Sequence, residues 1–320
     1  MGEVLKALQK YNPILKGIIL LAVLLFIYFK ILSQLEGPGF DLVEFFSSVG
    51  DRIYLVLAAL VLMPLNWSFE AVKWKWIIQE VEQVSFRQSL AGVLSGLSLG
   101  FITPHAIGDY AGRVWQLRTS RRFRTIGGLL LGRIMQFAVT LLFGLVGLML
   151  TPIPTRNWEP LILTYVGGII MVFLVIIYPS LFLKLFEISF LKSLRVHFKL
   201  LDSYSLGRKL QIFWLSLLRY MVFAVQFVLL MLACSVEADL AVLFSGATFI
   251  FLAKSALPTF NFLSDLGVRE AAAAFYFSVL EVPVVEVVMA SLILWIINIL
   301  LPALAGTAFL WSTKIFNSKE

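Results

Sequence analysis

The sequence predicts an all-α polytopic membrane protein: about six full transmembrane helices plus two re-entrant helical hairpins in an inverted-topology repeat. Three observations lead there. Of the 320 residues, 60% are hydrophobic and 14% charged, with a mean hydropathy of +0.93. That is more apolar surface than one water-facing core can hide. Apolar runs near 13–35, 53–76, 125–150, 161–183, 210–234 and 286–311 each reach the roughly 20 residues that a helix needs to cross hydrocarbon. Two further apolar runs are shorter and are interrupted by proline and charged residues.

The first run follows Lys6 and Lys10. It is longer than a signal-peptide core and lacks an A-x-A cleavage pattern, so it reads as a retained anchor. Orientation comes from the loops. Glu36, Asp41, Glu44 and Asp51 fill the segment after this span, and Glu237 and Asp239 follow Cys234. By contrast, Arg113, Arg118, Arg121, Arg122 and Arg124 precede the third span with no acid from 113 onward. A second basic stretch holds Lys184, Lys192, Arg195, Lys199, Arg208 and Lys209. Basic loops stay cytoplasmic, which predicts cytoplasmic N- and C-termini in a cell (inner) membrane.

With span two entering and span three leaving, residues 77–124 must begin and end inside. Their apolar run, Leu90 to Thr103, extends only about 21 Å as a helix, so a hairpin that enters and returns is expected over 88–116. In the second half, residues 240–283 must begin and end outside, which gives a second hairpin of opposite entry. The expected organisation is one membrane domain over 1–320, with repeat halves at 53–150 and 210–311. The Ser-Gly pairs at 95–96 and 245–246 echo it. A straight eight-span chain is the alternative.

Non-helical backbone at membrane depth needs protein or a water-filled cavity around it, so the breaks are the candidate site. Asp109 and Arg113 are four apart and share a helix face; Asp265 and Arg269 repeat the spacing, with Glu270 adjacent. Arg133 lies about two turns into span three, and Lys254 lies inside the second hairpin. Ionisable residues in such places are expensive and are functional candidates by default. The expectation is that Arg113, Arg269 and Arg133 hold a lipid phosphate. Asp109, Asp265 and Glu270 would orient them or couple protons, and Thr103, Pro104, Gly108, Pro258 and Gly267 would form the breaks. The plainer readings are an interfacial Asp109–Arg113 ion pair, a structural Arg269–Glu270 pair, and a Lys254 that snorkels to the interface. Trp67, Trp74, Trp76, Trp115, Trp214 and Trp311 read as interface anchors.

Cys234 is the only cysteine, which excludes an intramolecular disulfide, and no metal-ligand spacing occurs. No cofactor or metal is expected. The +7 net charge reads as membrane sidedness rather than nucleic-acid binding. No P-loop, G-x-S-x-G or H-E-x-x-H occurs, so no enzyme activity is expected.

"FITPHAIGDYAGR" resembles a T-P-x-x-x-G-E-x-x-x-R element, and "LPTFNFLSDLGVREAAAA" an L-P-x-P-G-G-x-G-x-R-E element. Both belong to the flippase-like integral membrane family related to the transmembrane region of lysylphosphatidylglycerol synthases. "EAVKWKWII" is similar to its basic-tryptophan segment. The resemblance covers about 14–312. It implies a polytopic fold that moves or handles anionic or aminoacylated lipids, and it carries over Thr103, Pro104, Gly108, Asp109, Arg113, Pro258, Gly267, Arg269 and Glu270. Asp109 stands where glutamate is usual, and "TFNFLSD" replaces the Pro-Gly-Gly approach. The larger synthases add a soluble aminoacyltransferase domain; the chain reaches Glu320 without one, so lipid aminoacylation is not expected.

The leading expectation is translocation of an anionic membrane phospholipid or polyprenyl-phosphate lipid between leaflets. The alternative is a non-transporting subunit that presents lipid to a separate glycosyltransferase or lipid synthase, which would make a membrane or cytoplasmic lipid-modifying enzyme its partner. A membrane-embedded transferase is a third reading.

Overall fold

The structure, a computed structural model, describes residues 42–79, 81–103, 107–117, 125–151, 158–180, 201, 204–256 and 262–312. The span expected at 13–35 lies outside them, as do the arginines at 118, 121, 122 and 124. The chain divides into two units, residues 1–51 and 52–320. In the first, α1 (Leu42–Asp51) sets Phe45 edge-to-face on Phe46, with ring centroids 5.7 Å apart.

The second unit is helical throughout its described residues, with no strand among them. In chain order it contains α2 (Ile53–Ile78), α3 (Phe86–Ile102), α4 (Ile107–Trp115), α5 (Thr125–Leu150), α6 (Trp158–Ile177), α7 (Leu206–Ala233), α8 (Leu240–Ala256) and α9 (Phe262–Val279). It ends with α10 (Val284–Trp295), a π-helical turn over Ile296–Leu300, and α11 (Leu301–Ser312). Among the described residues, four segments are long and apolar enough to cross a membrane: α2, α5, α7 and the rod from Val284 to Leu310. Residues 162–177 of α6, and α8, are apolar but shorter.

Local sequence explains the element ends. Ser85 starts α3 with a reciprocal capping box: its hydroxyl accepts from the Gln88 backbone N–H while the Gln88 side chain accepts from the Ser85 N–H. Ser205 caps α7 in the simpler way, accepting from the Arg208 N–H.

The helices pack as antiparallel pairs. Along α2 and α7, Arg52 Nη1 donates to the Leu232 carbonyl (2.8 Å), Gln226 Nε2 donates to the Ala59 carbonyl (2.7 Å), and Arg219 meets Glu70 (2.8 Å). Numbers rise on one helix as they fall on the other. The first hairpin is sewn by glycine: a Cβ on Gly112 would lie 2.6 Å from Gly96 Cα, and one on Gly108 would strike the Leu99 carbonyl. The second uses side chains, with Ser245 Oγ 2.5 Å from Tyr276 Oη and Phe249 stacked on Phe275 at 5.9 Å. The first pair then packs against α11 and the second against α5. Ser98 Oγ in α3 donates to the Ala303 carbonyl of α11 (2.5 Å), and Gly147 of α5 abuts Thr248 of α8.

Outer faces carry large apolar side chains, among them Leu163, Phe173 and Phe275. Such a surface suits hydrocarbon rather than water.

The Gly96–Gly112 contact makes a specific demand. Replacing Gly112 by Leu drives a side chain into backbone, and a thermal melt in detergent should show destabilisation of about 3 kcal/mol or loss of folded protein. Gly167→Ala, on an α6 face with nothing within 4 Å, should change stability by under about 1 kcal/mol.

Candidate functional site

The residues Asn66, Trp67, Glu70, Lys73, Trp74 and Ile77 fall on one face of α2 at helical spacing, and all are buried. A buried carboxylate without partners is untenable in low dielectric. Glu70 has three cationic partners: Lys73 Nζ at 2.7 Å, Arg113 Nη1 at 2.9 Å and Arg219 Nη1 at 2.8 Å. Arg219 is also held by Asn66, whose Oδ1 accepts from Nε at 3.0 Å, and lies over the Trp67 ring at 4.9 Å. Asn66 in turn donates to Asn298 Oδ1 (2.9 Å), and Trp67 Nε1 donates to the Asn298 carbonyl (3.2 Å). Asn298 sits in the π-helical turn, a wider turn of backbone that often marks functional positions.

The first break feeds the same network. Thr103 bridges the gap, its hydroxyl donating to the Leu99 carbonyl (3.0 Å) and accepting from the Gly108 N–H (2.7 Å). This starts α4 close against α3, so that Asp109 and Arg113 are buried on its inner face. Asp109 Oδ1 accepts from Arg113 Nε (2.7 Å) and Oδ2 from Arg133 Nη2 (2.9 Å). Arg133 also stacks on Tyr110 at 4.5 Å. Arg133, Asp109, Arg113, Glu70, Arg219, Asn66 and Asn298 thus form one continuous polar chain through α5, α4, α2, α7 and the final rod.

Pro104 and Pro258 lie outside the described residues, and so does the side chain of Asp265. Gly267 is exposed on α9. Arg269 and Glu270 are buried, with the Arg269 guanidinium 5.8 Å from the centre of the Phe223 ring.

Two cavities open beside the network. The first, about 190 Å³, is lined by Lys73, Arg113, Arg133, Arg219 and Lys254 with Glu70 and Asp109. The second, about 150 Å³, is lined by Arg219, Lys254 and Arg269 with the rings of Tyr220, Phe223 and Phe251. They share Trp67, Gln136, Arg219, Lys254 and Ile299, so they are adjoining chambers of one cleft. Arg113 and Arg269 therefore line neighbouring chambers rather than one. Glu270 does not line either of these two. Among the described residues that line the first chamber, Lys73, Arg113, Arg133 and Arg219 face Glu70 and Asp109, a basic balance suited to an anion.

The family model described as "Lysylphosphatidylglycerol synthase TM region" matches residues 14–306. The chain belongs to that family. Membership and the apolar helices make it an integral membrane protein with a membrane-lipid-related role. No curated protein and no solved structure matches the chain.

Several members of this site escaped the sequence reading. Glu70 and Lys73 lie in the quoted "EAVKWKWII" but received no site role, and Arg219 received none either, although it lies near the middle of a 28-residue helix, where any charge is a candidate. Trp67 and Trp74 are not interface anchors. They are 5% and 1% exposed, because each ring faces a guanidinium, Arg219 for Trp67 and Arg113 for Trp74 at 5.6 Å. Lys254 lines the cleft rather than reaching an interface.

Because Glu70 neutralises three cations at once, Glu70→Ala should cost about 3–5 kcal/mol in a detergent unfolding experiment. An unchanged melt would show that the cations do not need it.

Proposed function

We propose that this family member is a non-enzymatic translocator of an anionic, phosphate-bearing membrane lipid, either a phospholipid or a polyprenyl phosphate. One observation carries the reading: among the described residues around a cleft inside the helical bundle, Lys73, Arg113, Arg133 and Arg219 outnumber Glu70 and Asp109. Arg219 lies about 20 Å from either end of its helix at 1.5 Å per residue. Cations at that depth are costly unless an anion or water meets them. In this reading the phosphate takes the cleft while the tail stays in hydrocarbon, Arg113, Arg133 and Arg269 bind, and Asp109 orients Arg113 and Arg133. Asp265 and Glu270 are the remaining carboxylates for orientation or proton coupling.

The inverted-repeat arrangement belongs to the same proposal. Supporting it, α2 and α7 pair antiparallel, and the contact of the first hairpin with α11 is matched by that of the second hairpin with α5. Exchange of the two halves preserves this pattern, and with antiparallel partners the relating axis runs across the helices, in the membrane plane. Two re-entrant hairpins meeting the bilayer from opposite sides would then expose the cleft to each leaflet in turn. Cytoplasmic termini in the inner membrane follow from the basic loops.

The test is leaflet exchange of headgroup-labelled lipids, phosphatidylglycerol and polyprenyl phosphates included, in liposomes holding the purified protein. Exchange of one anionic class, lost in Arg113→Ala and Arg269→Ala, is expected. Lipid binding without exchange would replace translocation by the lipid-presenting subunit.

A further inference from the structure

We propose that Asn298 is a positioning residue of the cleft: through Asn66 and Trp67 it aims the Arg219 guanidinium at the headgroup. The inference rests on the reading of the cleft as an anionic-lipid site and adds what holds its shared cation on target.

The direction of the hydrogen bonds is the first ground. Asn66 sits between Asn298 and Arg219, and a carboxamide has one accepting end and one donating end. Its Nδ2 donates to Asn298 Oδ1 (2.9 Å), so its Oδ1 is left to accept from Arg219 Nε (3.0 Å). Turned about, Asn66 would set an NH2 group against a guanidinium that can only donate. The Asn298 amide is itself oriented, since its Nδ2 donates to the Leu294 carbonyl one turn back (3.4 Å). The oxygen on Asn298 therefore decides which end of Asn66 meets Arg219. Both asparagines are 1% exposed, so water is a poor substitute for either partner.

The backbone of Asn298 is the second ground. Its carbonyl lies four residues before Pro302, which has no N–H to give it. Trp67 Nε1 donates to this carbonyl (3.2 Å), and the ring so held has the Arg219 guanidinium 4.9 Å from its centre. One residue of the π-helical turn thus fixes both the amide beside Nε and the ring against the guanidinium face. With Nη1 on Glu70 (2.8 Å), the plane and the rotation of the guanidinium are both set. Arg219 lines both chambers, so its aim bears on the whole cleft. The Nη2 edge is the one presented to phosphate oxygens.

The experiment measures binding of short-chain phosphatidic acid and of a prenyl monophosphate to the full-length protein in detergent, with short-chain phosphatidylcholine as control. Asn298→Leu keeps the backbone carbonyl and the bulk but removes the orienting oxygen. It should weaken binding of the preferred phosphate lipid about ten-fold in protein that remains folded. Asn66→Asp supplies the rescue: a carboxylate accepts at both ends, so no neighbour need orient it. In that background Asn298→Leu should change affinity by less than about two-fold. Asn298→Ala gives the same pair of comparisons if the leucine variant does not fold.

Undiminished affinity in Asn298→Leu, with the wild type binding, overturns the positioning role and leaves the anion site standing. An equal loss in both backgrounds also overturns it, because a direct contact with the ligand or a general loosening of the fold would produce that result. If the wild-type protein binds neither phosphate lipid more tightly than phosphatidylcholine, the anionic-lipid reading fails, and the positioning role with it.

Discussion

Glu70 lies within 2.9 Å of cations from three helices: Lys73 on its own helix, Arg113 from the first hairpin, and Arg219 from α7. Without that carboxylate, Arg113 and Arg219 would confront each other in a low-dielectric interior, where like charges repel far more strongly than in water. With it, hairpin and long helices share one electrostatic centre. The rest of the site hangs on this centre: Asp109 holds the other side of Arg113, Asn66 the other side of Arg219, and Asn298 ties the last rod to Asn66. Such a network does little for stability in itself, since buried charges repay their desolvation only when fully partnered. Its effect is geometric, because it fixes guanidinium groups around an open cleft.

The two helix pairs, α3–α4 and α8–α9, are closed by different local means. The first hairpin closes through small residues, Gly96 against Gly112, so that backbone meets backbone and α4 delivers Asp109 and Arg113 deep into the bundle. The second closes through Ser245, Tyr276 and stacked aromatic rings, and delivers Arg269 beside Phe223. Among the described residues the chambers differ accordingly: the first is lined by Glu70, Asp109 and their ion pairs, the second by the rings of Tyr220, Phe223 and Phe251 with Arg219 and Arg269.

Much of the fold was legible in sequence because its signals are local. Apolar length marks helices, and the charged and proline-bearing breaks mark where α3 and α8 end. Antiparallel helix pairs stand at 86–115 and 240–279, where the apolar runs are too short to span; their re-entry into the bilayer belongs to the proposal. The Asp109–Arg113 pair was readable because four residues make one helical turn. Glu70 and Arg219 were harder, being 149 positions apart; only packing shows that they meet. The π-helical turn "IINIL" has no glycine or proline to announce it, and its asparagine draws meaning only from Asn66, 232 positions away. Tryptophan misled for a related reason: a ring beside a guanidinium and a ring at an interface look alike in one dimension.

Family membership supplies the lipid context, and the cleft supplies the charge. Their junction is the central claim, that a lipid phosphate sits against Arg113 and Arg219. Native mass spectrometry of the protein extracted in mild detergent tests it most directly, comparing wild type with a folded Arg113→Gln/Arg219→Gln variant. The account predicts that wild type retains an anionic lipid of one headgroup class and that the variant loses it. Equal retention by both proteins would contradict the account.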